Sequence, residues 1–410
     1  MTKEVSPKKE ENQRQNNKVS WAVFLSTLVV VLISLTSVLF PSFVIRSAST
    51  VQDPIMNQYE LGVWTYHLLV ANLILLGIGL LRSKNKLPQL VTNTTSFILN
   101  FEISKKVTIL TVAVLLAIYV GFSVSELGSE ERWDDYPAVK ERVRGWTIGD
   151  VTKGFEPHLR YLLLSISLNV FGNIRVVPLV VSIALLVLTY YITAHMANKR
   201  FAGVVAMVIL LQSAVFLTYD TSATYDNSWI LLYVLSLYLI FKKWPLSSLS
   251  YVLTLPSKAL TAMFFPMTFF FIYRSEIPRE KKIRTAISYI IILMVGIVVL
   301  ALGVDITRSN VGFDGKEFLR GFTVLAFQLR FDGLVLIFIL PLIVVLFMVA
   351  RKGIRQADSV MVLILGILLS APLLDAFTDL TNQPYRFVPL IVFFAMGIGT
   401  ILARKTIEQV

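Results

Sequence analysis

Runs of apolar residues long enough to cross a hydrocarbon core begin near Trp21, Leu61, Val107, Val176, Phe201, Trp229, Leu249, Ala259, Ile287, Gly333, Val360 and Phe387. A bilayer interior about 30 Å thick needs about 20 apolar helical residues per crossing, so the pattern predicts about twelve crossings. Lipid cannot hydrogen-bond the backbone, and a helix satisfies its backbone internally. The predicted fold is therefore an all-α integral membrane bundle. Composition agrees, since 55% of the 410 residues are hydrophobic and only 16% are charged, too few charges to cover a soluble protein of this size. The stretch Leu249 to Tyr273 is too long for one untilted span and is interrupted by Pro256, Ser257 and Lys258. It predicts two short helices that meet near the outer face.

The polar segment Met1 to Ser20 carries lysines but no short apolar core with a small-residue cleavage site, so the first apolar run reads as a retained helix. The absence of cysteine removes disulfides, thiolate nucleophiles and thiolate metal sites. A net charge of +12 would suggest nucleic acid in a soluble chain. Here most basic residues flank apolar runs, so the charge reads as a topology signal with contact to anionic lipid, and no nucleic-acid partner is expected.

Alternate loops are basic: Lys8, Lys9 and Lys18; Arg82, Lys84, Lys86, Lys105 and Lys106; Lys199 and Arg200; Lys242 and Lys243; Arg274, Arg279, Lys281, Lys282 and Arg284; Arg351, Lys352 and Arg355; Arg404 and Lys405. The positive-inside rule places these, and both termini, in the cytoplasm. The intervening loops hold the acids Glu126, Glu130, Glu131, Asp134, Asp135, Asp150 and Glu156, then Asp220 and Asp226, then Asp305, Asp314, Asp375 and Asp379. The expected organisation is a polar cytoplasmic N-terminus (1–20), two extra N-terminal transmembrane helices (21–105), a membrane core (106–403) with a long helical outer loop after helix three (124–175), and a cytoplasmic C-terminus (404–410). A connector that long carries function or a small folded unit. Within it, Leu159 to Phe171 is apolar on most sides but too short to span, and is placed as an interfacial or re-entrant helix. No nucleotide-binding glycine loop and no His pair at metal spacing is present.

Several residues are candidates for chemistry. Trp133-Asp134-Asp135-Tyr136 sets adjacent carboxylates at an outer membrane surface, able to deprotonate a hydroxyl or position a cation; a solvated acidic loop is the plain alternative. Lys258, at the junction of two membrane helices, costs about 2.5 to 3.5 kcal/mol at membrane depth and so calls for an anionic partner, either a lipid phosphate or an outer-loop carboxylate, unless it is a passive anchor. Arg386, in Gln383-Pro384-Tyr385-Arg386-Phe387, opens the last helix on the outer side, where it would clamp a phosphate or pair with Asp379. Asp226, in Thr224-Tyr225-Asp226-Asn227, reads as a solvated turn at a loop tip. His158 has two open readings, a structural hydrogen bond or an acid/base role.

Read in order, the outer face carries Asp134-Asp135, Gly149-Asp150, Glu156-Pro157-His158-Leu159-Arg160-Tyr161-Leu162-Leu163, Phe171-Gly172 with Arg175, Asp226, Leu255-Pro256-Ser257-Lys258, and Arg386-Phe387 with Pro389. This order resembles the GT-C-fold glycosyltransferases that use polyprenyl-phosphate sugars, particularly the protein O-mannosyltransferase and lipid A aminoarabinose transferase branch. In that family an Asp-Glu pair follows the first core helix, then come a Gly-Asp, a Pro-Pro-Leu surface helix, an outer-loop Asp, a Lys between two short helices and a late Arg-Tyr. Each motif is short, and it is their order along residues 106 to 403 that carries the likeness. Asp135 stands where the family has Glu, His158 replaces a proline, and the soluble C-terminal domain of some members is absent. The resemblance implies a GT-C-like bundle whose active site is extracytoplasmic. It implies transfer of a sugar from a polyprenyl-phosphate donor to a hydroxyl of protein, lipid or glycan by one inverting displacement. Asp134 would be general base with Asp135 supporting it or holding an optional cation, Lys258 and Arg386 would hold the leaving phosphate, and Tyr136, Asp150, His158, Arg160, Asp226 and Tyr385 are substrate or loop candidates. The polyprenyl-phosphate sugar enters as donor substrate, and the resemblance leaves open whether a divalent metal takes part. A multipass transporter or lipid flippase is the main alternative, and a non-catalytic scaffold subunit the third reading.

Overall fold

The computed structural model describes residues 7–41, 60–84, 86–152, 157–303, 312–377 and 384–403, and among them the regular structure is entirely helical. In chain order the α-helices are α1 (Pro7–Leu39), α2 (Thr65–Ser83), α3 (Gln89–Asn100), α4 (Lys105–Ser123), α5 (Tyr136–Gly145), α6 (His158–Phe171), α7 (Val176–Ala197), α8 (Arg200–Leu211) and α9 (Ala214–Tyr219). They continue with α10 (Ser228–Lys242), α11 (Trp244–Val252), α12 (Phe265–Arg274), α13 (Arg279–Gly303), α14 (Gly315–Gln328), α15 (Gly333–Arg351), α16 (Gln356–Phe377) and α17 (Val388–Ile401).

Helix boundaries follow local chemistry. Ser104 caps α4, its Oγ accepting from Val107 N at 3.3 Å, and Asp332 caps α15, its Oδ1 accepting from Val335 N at 3.1 Å. Ser213 caps α9 in the same way, at 3.1 Å from Phe216 N, and donates its hydroxyl proton to Asp332, so two helix starts are tied together. α6 stops at Gly172, whose φ of +69° is the left-handed geometry that glycine adopts without strain.

α17 is apolar all round and lies at the centre, packed on α7, α8, α15 and α16. Small residues permit the close approach: a Cβ on Gly399 would lie 2.7 Å from the Ala202 carbonyl oxygen and 2.2 Å from Thr193 Cγ2. α1 joins the bundle against α14, α15 and α16 and is no appendage, whereas α2 lies at its edge on α15. The exterior of α2, α4 and α13 exposes Leu69, Leu73, Leu76, Ile109, Leu110, Ile118, Ile287, Ile291 and Met294. A surface of that kind suits hydrocarbon and not water.

Among the described residues seven helices are long and apolar enough to cross a membrane: Asn16–Leu39, Thr65–Arg82, Lys105–Gly128, Val176–Ala197, Gly333–Arg351, Gln356–Phe377 and Pro384–Ile401. A multi-pass membrane protein is the consistent reading. The expected count of about twelve crossings is not confirmed among the described residues, where several apolar runs fold as shorter helices, among them α8, with 12 residues, and α10, with 15. The run expected from Leu249 is instead α11, which starts at Trp244 because Pro245 suits a first helical turn. The chain then turns through Leu253 to Ser257 and re-enters as a 3-10 segment, Ala259–Phe264, before α12. Two short helices thus meet at Pro256–Lys258, as the sequence predicts.

The described residues of the 124–175 segment include four helical pieces: Val124–Gly128, α5, Ile148–Thr152 and α6. They gather at one end of the bundle with the 220–228 loop, and carry a small core of Tyr136, Val143, Leu164, Ile174 and Ala223. Asn16, Arg274 and Asp358 mark the opposite end, where the basic residues collect.

Candidate functional site

The 220–228 loop is polar and buried: Asp220, Thr221, Ser222, Thr224, Asp226, Asn227 and Ser228 all lie inside. Buried backbone without partners is costly, so such a loop needs a dedicated set of hydrogen bonds. Glu131, 2% exposed at its side chain, supplies them by accepting from Ser222 Oγ at 2.9 Å, from Ala223 N and from Thr224 N at 3.2 Å. Arg175, also buried, donates to Thr221 O at 3.2 Å, Thr221 Oγ1 at 2.6 Å and Ser129 O at 2.8 Å, and lies 3.8 Å from Glu131 and 3.4 Å from Glu126. From below, Ser182 Oγ donates to Asp220 O at 2.7 Å. Burial pushes the Asp220 carboxyl up to about 6.

This scaffold presents Tyr225 and Asp226 to a cavity of about 280 Å³, whose wall also includes Arg160, Lys258, Tyr385 and Arg386. Arg160, on α6, donates to Ala223 O at 2.9 Å and lies 3.5 Å from Asp226 Oδ1, while Ser228 Oγ donates to Asp226 Oδ2. Lys258 enters from the helix break. Its Nζ donates to Tyr385 Oη at 2.6 Å and sits 4.6 Å from that ring's centroid. No described carboxylate lies within ion-pair distance of it. Arg386 Nε also donates to Tyr385 Oη, at 3.4 Å. Burial pushes the Lys258 ammonium down, Tyr385 opposes that, and the positive charges of Arg386 and Arg160 add to it. Among the described residues that line the cavity there are three cations and one carboxylate, a balance that favours an incoming anion.

Tyr225 and Tyr385 stack at 4.4 Å with an interplanar angle of 16°. The Tyr225 hydroxyl donates to Asp135 Oδ2 at 3.1 Å, which brings one carboxylate of the acidic pair to the cavity's aromatic edge. Burial, and then Asp135 itself, push Tyr225 up to about 12, so the phenol keeps its proton and goes on donating at neutral pH.

Of the residues singled out from sequence, the cavity brings together Arg160, Asp226, Lys258, Tyr385 and Arg386, with Asp135 one hydrogen bond away. Asp134 is exposed and does not line it. Tyr136 is a core residue of the 124–175 segment. Asp150 accepts from Thr147 N at 2.7 Å and Thr147 Oγ1 at 2.9 Å, closing its own turn. His158 opens α6 next to the lining residue Pro157 without itself lining the cavity. The reading of Asp226 as a solvated turn is corrected: it is 7% exposed, because Arg160 and Ser228 draw it inward. Among the described residues Lys258 has the phenol of Tyr385 as its hydrogen-bond partner, in place of the expected outer-loop carboxylate. The alternative pairing of Arg386 with Asp379 lies outside the described residues, as does Glu156.

Sequence reasoning missed Glu131 and Tyr225, and gave Arg175 no role. Glu131 sits among six other acids in residues 126 to 150, and nothing in its neighbours marks it as buried. Tyr225 carried a signal, since it adjoins Asp226 in a loop between two apolar runs. Among the described residues no group of three His, Asp or Glu side chains converges as a metal site would require. Compared with family models, with curated proteins and with solved structures, the chain finds no match.

Proposed function

We propose that this protein is a membrane glycosyltransferase that moves a sugar from a polyprenyl-phosphate donor to a hydroxyl acceptor at the extracytoplasmic face. The observation that carries the reading is Lys258, a part-buried ammonium at a helix break with no described carboxylate beside it, sharing a cavity with Arg160 and Arg386. A phosphate ester is the anion whose charge and size suit these three cations. The donor is already activated, so the protein has only to align an acceptor and stabilise the negative charge that grows on the departing phosphate. Lys258 and Arg386 hold that phosphate. Arg160 keeps Asp226 and the 223–224 carbonyls in place, and the Tyr225–Tyr385 stack offers a face to the sugar ring.

The acceptor proton goes to a carboxylate. We assign that role to Asp135 rather than Asp134, because Asp135 is the one tied to the cavity wall through Tyr225. The displacement is single and inverting: the acceptor oxygen bonds to the anomeric carbon as the bond to the phosphate oxygen breaks, and the proton passes to Asp135.

Purified protein in nanodiscs, given a panel of polyprenyl-phosphate sugars, should release polyprenyl phosphate with one of them. Lys258→Ala should slow release by about 10²- to 10³-fold, as expected when one preorganised charge partner is removed. Asp135→Asn should slow it by about 10²-fold or more, while Asp134→Asn costs far less. Wild-type protein that neither binds nor turns over any donor sinks the proposal. Movement of an intact lipid-linked sugar between leaflets without release would instead favour a flippase.

A further inference from the structure

A second cavity, of about 500 Å³, opens at the other end of the bundle, between the C-terminus of α12, the start of α13, Arg355 just before α16, and Asn16 of α1. The first cavity is bordered by Leu374, near the end of α16, and the second by Arg355, just before its start. At 1.5 Å per residue the two lie roughly 30 Å apart. Nothing in the transfer reaction reaches that far.

Four cations line this second cavity: Arg274, Arg279, Lys282 and Arg355. Arg274 is committed, since it pairs with buried Asp358, which also accepts from Ser20 Oγ at 2.8 Å, and donates to Asn16 Oδ1 at 3.0 Å. Lys282 donates to the Tyr273 carbonyl at 2.7 Å and lies within electrostatic reach of Arg274, Arg355 and Glu276. Arg279 and Arg355 are exposed and make no ion pair with a described carboxylate; the nearby Glu280 faces Arg284, at 4.0 Å. Apart from Asn16 and Tyr273 the rest of the wall is apolar, with Phe269 half-buried and Ile283 exposed on the bundle's exterior. A cavity with uncompensated positive charge at its mouth and apolar walls behind fits an amphiphile with an anionic head, and water-soluble anions have no use for the apolar part.

We propose that this cavity binds the phosphate headgroup of an anionic glycerophospholipid, with Arg279, Lys282 and Arg355 at the phosphate and an acyl chain along Phe269 and Ile283. The bound lipid bridges α12, α13 and the start of α16, reinforcing the buried Arg274–Asp358 pair that ties α12 to α16 and the Lys282 bond that ties α13 to α12.

The test is lipid retention by the full-length chain in detergent, read by native mass spectrometry, with phosphatidylglycerol and phosphatidylcholine of the same acyl chains. Each cation beside an anionic headgroup is worth about fivefold in affinity, so the double variant Arg279→Gln/Arg355→Gln should bind phosphatidylglycerol about 25-fold more weakly. Phosphatidylcholine binding should not change. Both side chains are exposed, so the variant should keep the wild-type elution profile, and Arg279→Lys/Arg355→Lys should retain the lipid. Equal retention of the two lipids by wild type, or undiminished phosphatidylglycerol on the glutamine variant, overturns the proposal. So does displacement of the lipid by inorganic phosphate alone, which would identify a free-anion site. None of these outcomes depends on donor turnover at the opposite end.

Discussion

Glu131→Ala isolates the hydrogen bonds that hold the functional loop. The substitution removes the acceptor for three donors, Ser222 Oγ and the amides of Ala223 and Thr224, and takes one counter-charge from Arg175. Each buried donor left unsatisfied costs about 1 to 3 kcal/mol. Breaking a buried charged pair from one side costs about 3 to 5 kcal/mol. The two routes overlap near 4 kcal/mol, and the cost falls on the local opening of residues 220–228, since α10 and α17 pack without it. A local change of that size should accelerate amide exchange at Ala223, Thr224 and Tyr225 by about 10³-fold. Exchange followed by mass spectrometry in detergent reads this directly, with the amides of α17 as the internal control. Because this loop carries Tyr225 and Asp226 into the cavity, donor turnover should fall in the same variant. If exchange at 223–225 is unchanged, Glu131 is not the clamp, and the account of why a polar loop can be buried here is wrong.

Three further perturbations test separate parts of the structure. Tyr225→Phe keeps the stack on Tyr385 and removes only the bond to Asp135, so turnover should drop about tenfold at most, given that Asp135 is exposed; a loss as large as that of Asp135→Asn would mean that the phenol itself reacts. Asp220 is held up to about 6 by burial, so the fold favours its protonated form, and its contribution to stability is full below about pH 4 and lost as pH rises through about 6, on the order of 3 kcal/mol. Melting temperatures in detergent at acid and neutral pH should therefore differ less for Asp220→Asn than for wild type, and an unchanged difference would refute the assignment. Gly399→Val forces a side chain against the Ala202 carbonyl and Thr193, and should destabilise the α7–α8–α17 contact by about 1 to 3 kcal/mol, read as a lower melting temperature; no change would show that these helices can part at little cost.

What could be read from the sequence divides along a physical line. Apolar runs are local, so the helices appear where the runs are, and the break at Pro256–Lys258 was visible because proline and a charge interrupt an apolar tract. Helix length was less legible. Phe201 and Trp229 begin runs that look long enough to span, but the chain leaves the helix at Gln212 and Lys243. Lys258 and Arg386 stood out because each is anomalous in its surroundings, whereas Arg160 came in only with the family resemblance. Carboxylates did not, since Glu131 and Asp134 look alike in a loop of acids, yet one is buried under Ser222 and the other is exposed. Only the fold separates them, because burial of an acid depends on what folds over it from far along the chain.

The helix break also explains why residues so distant in sequence meet. Ending α11 at Val252 and restarting at Ala259 frees carbonyls and amides that a continuous helix would have paired. Some are recovered locally, as Tyr251 Oη donates to Thr261 O at 2.8 Å and Thr254 Oγ1 to Thr261 Oγ1 at 2.9 Å. The Pro256 carbonyl is met from elsewhere: it accepts from Leu159 N at 3.2 Å, one of the amides that the first turn of α6 leaves without an intrahelical partner. Two incomplete helix ends thus complete each other, and the same contact sets Arg160, one residue on from Leu159, across the cavity from Lys258, two residues on from Pro256. A continuous helix through residues 244–274 would have kept Lys258 among hydrocarbon at a cost of about 2.5 to 3.5 kcal/mol and left α6 uncapped. The break that makes the ammonium tolerable is the feature that brings the 124–175 segment to it.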